Sequence, residues 1–204
     1  MEEAATPARM LILASSSPRR QQLIGLLGLP FRSQPSRVDE STPAQWSPER
    51  TVRELAYRKA AAAWKQGQQD DRGESCIIIG SDTIVALDSQ ILGKPKDDED
   101  AVRMLTMLSG ARHSVYTGVC CIGVPDGKTA VDHRVTHVHM RKLTEEQIRR
   151  YVAKGESRDK AGAYGIQSLG GMLVDRIDGC YFNVVGLPLS LLATQLEAFG
   201  ITVP

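Results

Sequence analysis

The chain has 204 residues, 42% of them hydrophobic and 24% charged, a globular composition that excludes a disordered tail, a collagen-like fibre and a coiled-coil rod. With 25 basic against 24 acidic side chains and 5% aromatic residues, there is no global field and little stacking surface to draw it onto nucleic acid or an anionic bilayer, so any anion binding must be local. The longest apolar runs fall far short of the roughly 20 residues that span a membrane. Glu2 and Glu3 stand where a signal peptide would be basic, and the four cysteines form no Cys-x-x-Cys pair. These features predict a cytoplasmic protein with buried free thiols.

Met10 to Ala14 reads as a short buried strand running into Ser15-Ser16-Ser17-Pro18-Arg19-Arg20. Ser17 is placed to cap a helix that begins at Pro18, carries Leu23, Ile24 and Leu27 on one face and stops near Gly28. Phe31 to Val38 is expected to be extended. Ser47-Pro48-Glu49 opens a second helix in which Val52, Leu55, Ala56, Lys59, Ala60 and Ala63 recur at helical spacing, and Gln66 to Ser75 reads as a surface loop. Cys76 to Val85 is a strand, with Asp88-Ser89-Gln90 as its turn into Ile91 and Leu92. Asp97 to Leu108 is a helix. His113 to Val124 and Lys128 to Leu143 form a long ribbon that turns at Pro125-Asp126-Gly127. Thr144-Glu145-Glu146-Gln147 is a capping box for a helix through Val152. Met172 to Ile177 and Tyr181 to Val185 flank Asp178-Gly179 as a second hairpin, and Pro188 to Phe199 closes the chain as a helix. This order mixes α and β without strict alternation, which predicts an α/β fold with a mixed central sheet and flanking helices.

Several segments could carry chemistry. Helix N–H groups, hydroxyls and two arginines at Ala14 to Arg20 form a natural anion site, with phosphate as the obvious guest, although a capped helix followed by solvated arginines has the same pattern. Asp82 in Gly80-Ser81-Asp82-Thr83 ends an apolar strand, where carboxylates hold divalent ions or orient water, or simply form turns. Asp39 and Glu40 are either its acidic partners or a solvated loop. Lys59 and Lys94 read as phosphate contacts or as a snorkelling side chain and a charged turn. Gly93-Lys94 is no P-loop, because Pro95 follows the lysine and Asp88 stands where the upstream glycine should be. His133, His137 and His139 share a strand face but have no cysteine pair nearby, which favours an exposed ribbon over zinc. No Gly-x-Ser-x-Gly elbow is present. Asp159 to Gln167 is punctuated by glycine, as a close backbone approach to a ligand or a tight loop would require.

In order, ASSSPRR at 14–20, VDE at 38–40, LAYRKA at 55–60, GSDT at 80–83, GKP at 93–95, LSG at 108–110, DKAGAYGIQ at 159–167 and VVGLP at 184–188 resemble the Maf family of nucleotide pyrophosphatases, the septum-formation inhibitor proteins, from about Met10 to Phe199. The resemblance implies a single domain over 1–204, with 1–9 as a flexible N-terminus, and two lobes around a cleft as in the inosine triphosphatase fold. It implies hydrolysis of a nucleoside triphosphate to monophosphate and pyrophosphate, dependent on a divalent cation, Mg²⁺ or Mn²⁺. On the matching positions Asp82 is the general base or metal-linked carboxylate and Glu40 its acidic partner, the two forming the metal site, and Lys94 is a further catalytic cation. Ser15, Ser17, Arg19, Arg20, Lys59 and Lys160 are substrate contacts. The residues themselves leave open which of Asp39 and Glu40 faces the metal, since neighbours in extended chain point opposite ways.

Arg19, Thr83 and Gln167 match the branch of the family that acts on dTTP and UTP, where the 7-methyl-GTP branch tends to carry Trp, Gln and Glu. The Gln167 amide offers one donor and one acceptor, complementary to N3–H and O4 of thymine or uracil. The implied partner is a small-molecule nucleotide, canonical or modified, with no nucleic acid or membrane, and a homodimer is compatible with the family. A nucleotide-sensing regulator of cell division is the reading from a different class.

Overall fold

A computed structural model of the chain describes residues 9–67, 75–88 and 90–203. Strand β1 (Met10–Leu13) pairs in parallel with both β2 (Phe31–Ser33) and β3 (Cys76–Leu87). Parallel pairing needs crossover connections, and helices α1 (Pro18–Gly25) and α2 (Pro48–Gly67) lie in the two segments that link these strands. Strand β4 (Gln90–Leu92) folds back antiparallel on β3, with Leu92 opposite Val85. The ribbon forms β5 (Arg112–Val124) and β6 (Thr129–Met140), and β7 (Val174–Asp178) runs antiparallel to β6. The result is a mixed seven-stranded sheet in the order β2-β1-β3-β5-β6-β7, with β4 on β3. Helices α3 (Asp98–Leu108), α4 (Glu145–Val152), α5 (Tyr181–Val185) and α6 (Leu189–Glu197) complete the α/β architecture that the element order predicts.

The chain divides into two compact units. The first contains the described residues up to Asp82, Gly118–His133 and those from Gly186 on; the second contains Thr83–Thr117 and Arg134–Val185. In the first, Ile12, Ala14, Ile78, Cys120 and Ile122 pack against an alanine stripe on α2, Ala56, Ala60 and Ala63. The stripe is alanine because the helix meets the sheet at backbone distance. A Cβ on Gly80 would run into the carbonyl oxygen of Ala56 and lie 2.8 Å from the nitrogen of Ala60, and one on Gly118 would run into the carbonyl of Val52. Here Gly118 to Gly123 of β5 are buried on both faces, and the Cys121 thiol reaches Gln195 of α6 at 3.3 Å.

In the second unit the ribbon alternates instead. His113, Val115 and Thr117 of β5 and Thr136, Val138 and Met140 of β6 are buried, while Ser114, Tyr116, His137 and His139 are partly exposed. The covered face packs on Val102, Leu105 and Leu108 of α3 and on Ile148 and Tyr151 of α4. The capping box of α4 forms as expected, with Thr144 and Gln147 exchanging side-chain and backbone bonds.

Some local expectations differ from the structure. Tyr181 to Val185 is helix α5, so Asp178-Gly179 does not turn a second hairpin. The Thr136 hydroxyl bonds both the N–H and the carbonyl of Cys180 at 3.0 Å, and the buried Asn183 amide donates to the carbonyl of Val115 at 2.9 Å; these tertiary bonds override the strand propensity of a β-branched and aromatic run. Only the first three residues of Phe31 to Val38 join the sheet, and β6 ends at Met140 rather than Leu143. Helix α1 ends at Gly25, and Gly28, at φ 67°, closes the turn after it. Cys76, Cys120 and Cys121 are buried free thiols, whereas Cys180 is only partly buried. The N-terminal segment through residue 8, most of the loop expected at 66–75 and residue 89 of the expected 88–90 turn lie outside the described residues.

Candidate active site

Strand β1 delivers the chain into the serine turn that starts α1. The Ser17 side chain caps that helix on the Arg20 N–H, and Ser15 Oγ accepts from the Ser17 N–H at 3.2 Å and from Arg20 Nη1 at 3.4 Å. Arg20 Nε donates to the carbonyl of Gly186 at 2.8 Å, and Ser81 Oγ donates to the same oxygen at 3.0 Å. One carbonyl of the VVGLP segment therefore ties the turn to strand β3, a role for Gly186 and Ser81 that the sequence does not announce. Burial pulls the Arg20 pKa down, and the fields of Asp82 and Glu40 oppose that pull. Arg19, beside it, is partly buried.

Two elements then bring three charges together. Helix α2 presents Lys59, whose Nζ lies 2.5 Å from Asp82 Oδ1 on β3 and 2.8 Å from Glu40 Oε1. Asp82 and Lys59 have side chains 10% and 12% exposed, whereas Glu40 is 56% exposed. Asp39 turns away: its carboxylate accepts from the Ser41 N–H at 2.8 Å and the Ser41 hydroxyl at 2.7 Å, bonds that hold its pKa below the usual carboxylate range. Of the two adjacent acids, Glu40 is thus the one that joins Asp82.

Glu40 and Asp82 are the two residues that could together hold a hard divalent cation. Both offer carboxylate oxygens and they already share the positive charge of Lys59. Mg²⁺ suits such a pair, because it is bound by one or two carboxylates together with substrate phosphates and water.

The remaining predicted residues lie in the second unit. Thr117 donates its hydroxyl hydrogen to the carbonyl of Asn183 at 2.9 Å, so in the 2.9 Å contact between the two hydroxyls Thr83 is the donor. Thr83 Oγ1 therefore keeps only acceptor capacity for anything else. Lys94 is exposed after β4, and the Gly93 carbonyl accepts from the Gly162 N–H at 3.0 Å, which joins the GKP and DKAGAYGIQ segments. Gly162 at φ 69° and Ala163 at φ 61° turn that segment, with Val85 so near that a Cβ on Gly162 would lie 3.0 Å from its Cγ2. Lys160 does not stand free: Nζ donates to the Glu156 carbonyl at 2.5 Å and pairs with Asp159 at 2.7 Å, and its arm passes where a Cβ on Gly165 would be. Gln167 is exposed. On one side of it the Gly165 N–H donates to the Tyr151 hydroxyl at 3.2 Å; on the other, the Leu169 and Gly170 N–H groups donate to the Glu156 carboxylate at 3.2 and 3.3 Å. Tyr151 and Glu156 escape a sequence reading because a lone acid and a core tyrosine carry no pattern. His137 of β6 meets Ser114 Oγ of β5 through Nδ1 at 3.0 Å.

A family model described as Maf-like protein matches residues 10–199. The dTTP/UTP pyrophosphatase of Desulforamulus reducens is 47% identical over 195 residues, covering 96% of this chain and 99% of that protein. That of Moorella thermoacetica is 49% identical over 193 residues, covering 95% and 96%. Among solved structures, the Staphylococcus aureus Ham1 protein aligns over 93% of this chain and 99% of that one at TM-score 0.45 and 19% identity, a likeness too remote to bear on chemistry. With a family match from the first strand to the last helix and near-half identity to relatives along almost their whole length, the chain belongs to the Maf family.

Proposed function

We propose that this chain hydrolyses dTTP and UTP, and modified pyrimidine nucleotides of the same hydrogen-bonding pattern, to the nucleoside monophosphate and pyrophosphate. The observation that carries the reading is Lys59, held at 2.5 Å by buried Asp82 and at 2.8 Å by Glu40 in the unit that also contains the Ser15–Arg20 turn. The names of the relatives point to the same reaction. Water adds to the α-phosphorus, the bond from that phosphorus to the oxygen bridging to the β-phosphorus breaks, pyrophosphate leaves and one proton is released. Asp82 orients the water and accepts its proton, a task for a carboxylate held within a rigid strand that runs on to Leu87 rather than ending at Asp82. When bound, a divalent ion held by Glu40 and Asp82 would neutralise phosphate charge and acidify water. Arg19, Arg20, Lys59 and the hydroxyls of Ser15 and Ser17 bind phosphate oxygens. Gln167 reads N3–H and O4 of the base, and Thr83, restricted to accepting, takes a substrate donor.

The test is incubation of the purified chain with Mg²⁺ and, separately, dTTP, UTP, CTP, ATP, GTP and 7-methyl-GTP, with monophosphate and pyrophosphate quantified. Pyrophosphate from dTTP and UTP is expected, and Asp82→Asn lowers turnover at least about a hundredfold while remaining folded. Turnover of 7-methyl-GTP in their place overturns the base assignment. An inactive chain with every divalent ion overturns the catalytic reading and leaves a nucleotide-binding regulator.

A further inference from the structure

Resting on the reading of Glu40 as a working acid, we infer that Arg58 is its positioning residue, clamping the backbone on both sides of that carboxylate. Arg58 Nη1 donates to the carbonyl of Asp39 at 3.2 Å and to the carbonyl of Ser41 at 2.9 Å, the two residues that flank Glu40. Its Nε is fixed by Glu54, one turn earlier on α2, at 2.9 Å. Farther along the same loop the Trp46 ring lies under two guanidinium groups, with Arg50 Cζ 4.3 Å and Arg58 Cζ 5.9 Å from its centroid.

Consecutive residues of one helix thus grip one acid: Lys59 takes the side chain of Glu40 and Arg58 takes its main chain. The segment needs such a hold. Residues 39–41 are exposed and belong to no helix or strand, so no ladder fixes them, and an exposed carboxylate on such a segment samples many geometries. Arginine suits the task and lysine does not. A planar guanidinium can bond Glu54 through Nε while both hydrogens of Nη1 reach separate carbonyls, whereas an ammonium has no such fork.

The experiment is a double-mutant cycle of wild type, Arg58→Ala, Glu40→Gln and the double variant, read on dTTP turnover and on Mn²⁺ binding with a non-hydrolysable dTTP analogue, each protein checked by thermal melting. Arg58→Ala is expected to lower kcat about tenfold, as displacement of a reacting group does, with KM for dTTP within about twofold, and to weaken Mn²⁺ binding. In the Glu40→Gln background the same change should add little to either readout. Arg58→Lys, which keeps the charge and most of the packing, should recover only part of the loss, and it replaces Arg58→Ala in the cycle if that variant melts early. Wild-type behaviour of Glu40→Gln would remove the reading of Glu40 and the inference with it. A slow Glu40→Gln beside a fully active Arg58→Ala, or full additivity in either readout, overturns the inference alone.

Discussion

Gln167 and the pair Asp39 and Glu40 show what a single side chain can and cannot decide. At Gln167 the neighbouring backbone is held from both sides, by the Tyr151 hydroxyl on Gly165 and by the Glu156 carboxylate on Leu169 and Gly170. An exposed carboxylate put in place of the amide would be displayed from the same frame, so Gln167→Glu should change chemistry rather than folding. The amide donor is lost and only acceptors remain. The kcat/KM for dTTP should fall at least about tenfold, or about 1.4 kcal/mol, with the melting temperature unchanged. Unaltered dTTP kinetics in the folded variant would show that Gln167 makes no contact with the base. In the sequence Asp39 and Glu40 are equivalent neighbours, and only Ser41, which takes up the Asp39 carboxylate, and Lys59, which takes up Glu40, tell them apart.

At the scale of elements, the position of Lys59 depends on how closely α2 lies on the sheet. Gly80, two residues before Asp82, faces the backbone of Ala56 and Ala60 with no room for a Cβ, and both clashing groups are backbone that cannot turn aside. Gly80→Ala must therefore lift the helix that carries Lys59. Overpacking of this kind destabilises by about 1–3 kcal/mol, a fall in melting temperature of roughly 2–12 °C for a chain of this size. Turnover at 25 °C should fall as well, because the lift separates Lys59 from Asp82. A variant that melts and turns over like the wild type would mean that the approach is looser than these distances. The same scale explains what could be read from sequence. The turn after β1, the Ser17 cap and the Thr144 capping box are local, each made by residues within a few positions of one another, and all three form. Helix α5 departs from the expected strand because its stability comes from Thr136 and Val115, more than 40 residues away in the chain. The roles of Arg58, Glu156 and Gly186 are not legible in sequence for a related reason: they act on main-chain groups or through one, and a carbonyl or an N–H group leaves no mark on residue identity.

For the whole molecule the question is what acid does, and two sets of groups answer it at different pH. Bonds from Ser41, Arg158 and Lys96 hold Asp39, Asp98 and Asp100 below the ordinary carboxylate range, so what these groups contribute is intact above about pH 4 and is lost below it. His113 works in a higher window. It is buried on the covered face of β5 with Nε2 2.8 Å from the Tyr164 hydroxyl and no partner for Nδ1 among the described residues, and burial, with His139 nearby, lowers its pKa to about 4. An unfolded chain binds this proton below about pH 6.5, whereas the native one refuses it until about pH 4. Between those values the unfolded state carries more protons, so stability falls as the pH falls, by about 3 kcal/mol at pH 4. Tyr164 belongs to the segment that ends in Gln167, so charging His113 strains the anchor of the proposed base-reading residue before it unfolds the rest. Melting curves between pH 7 and 4.5 should show a steep loss for the wild type and a much flatter one for His113→Gln, which can still bond Tyr164 but has nothing to protonate. Hydrogen exchange at pH 5 should lose protection at 159–170 earlier than in α2, and equal acid sensitivity of the two proteins would place the titrating group elsewhere.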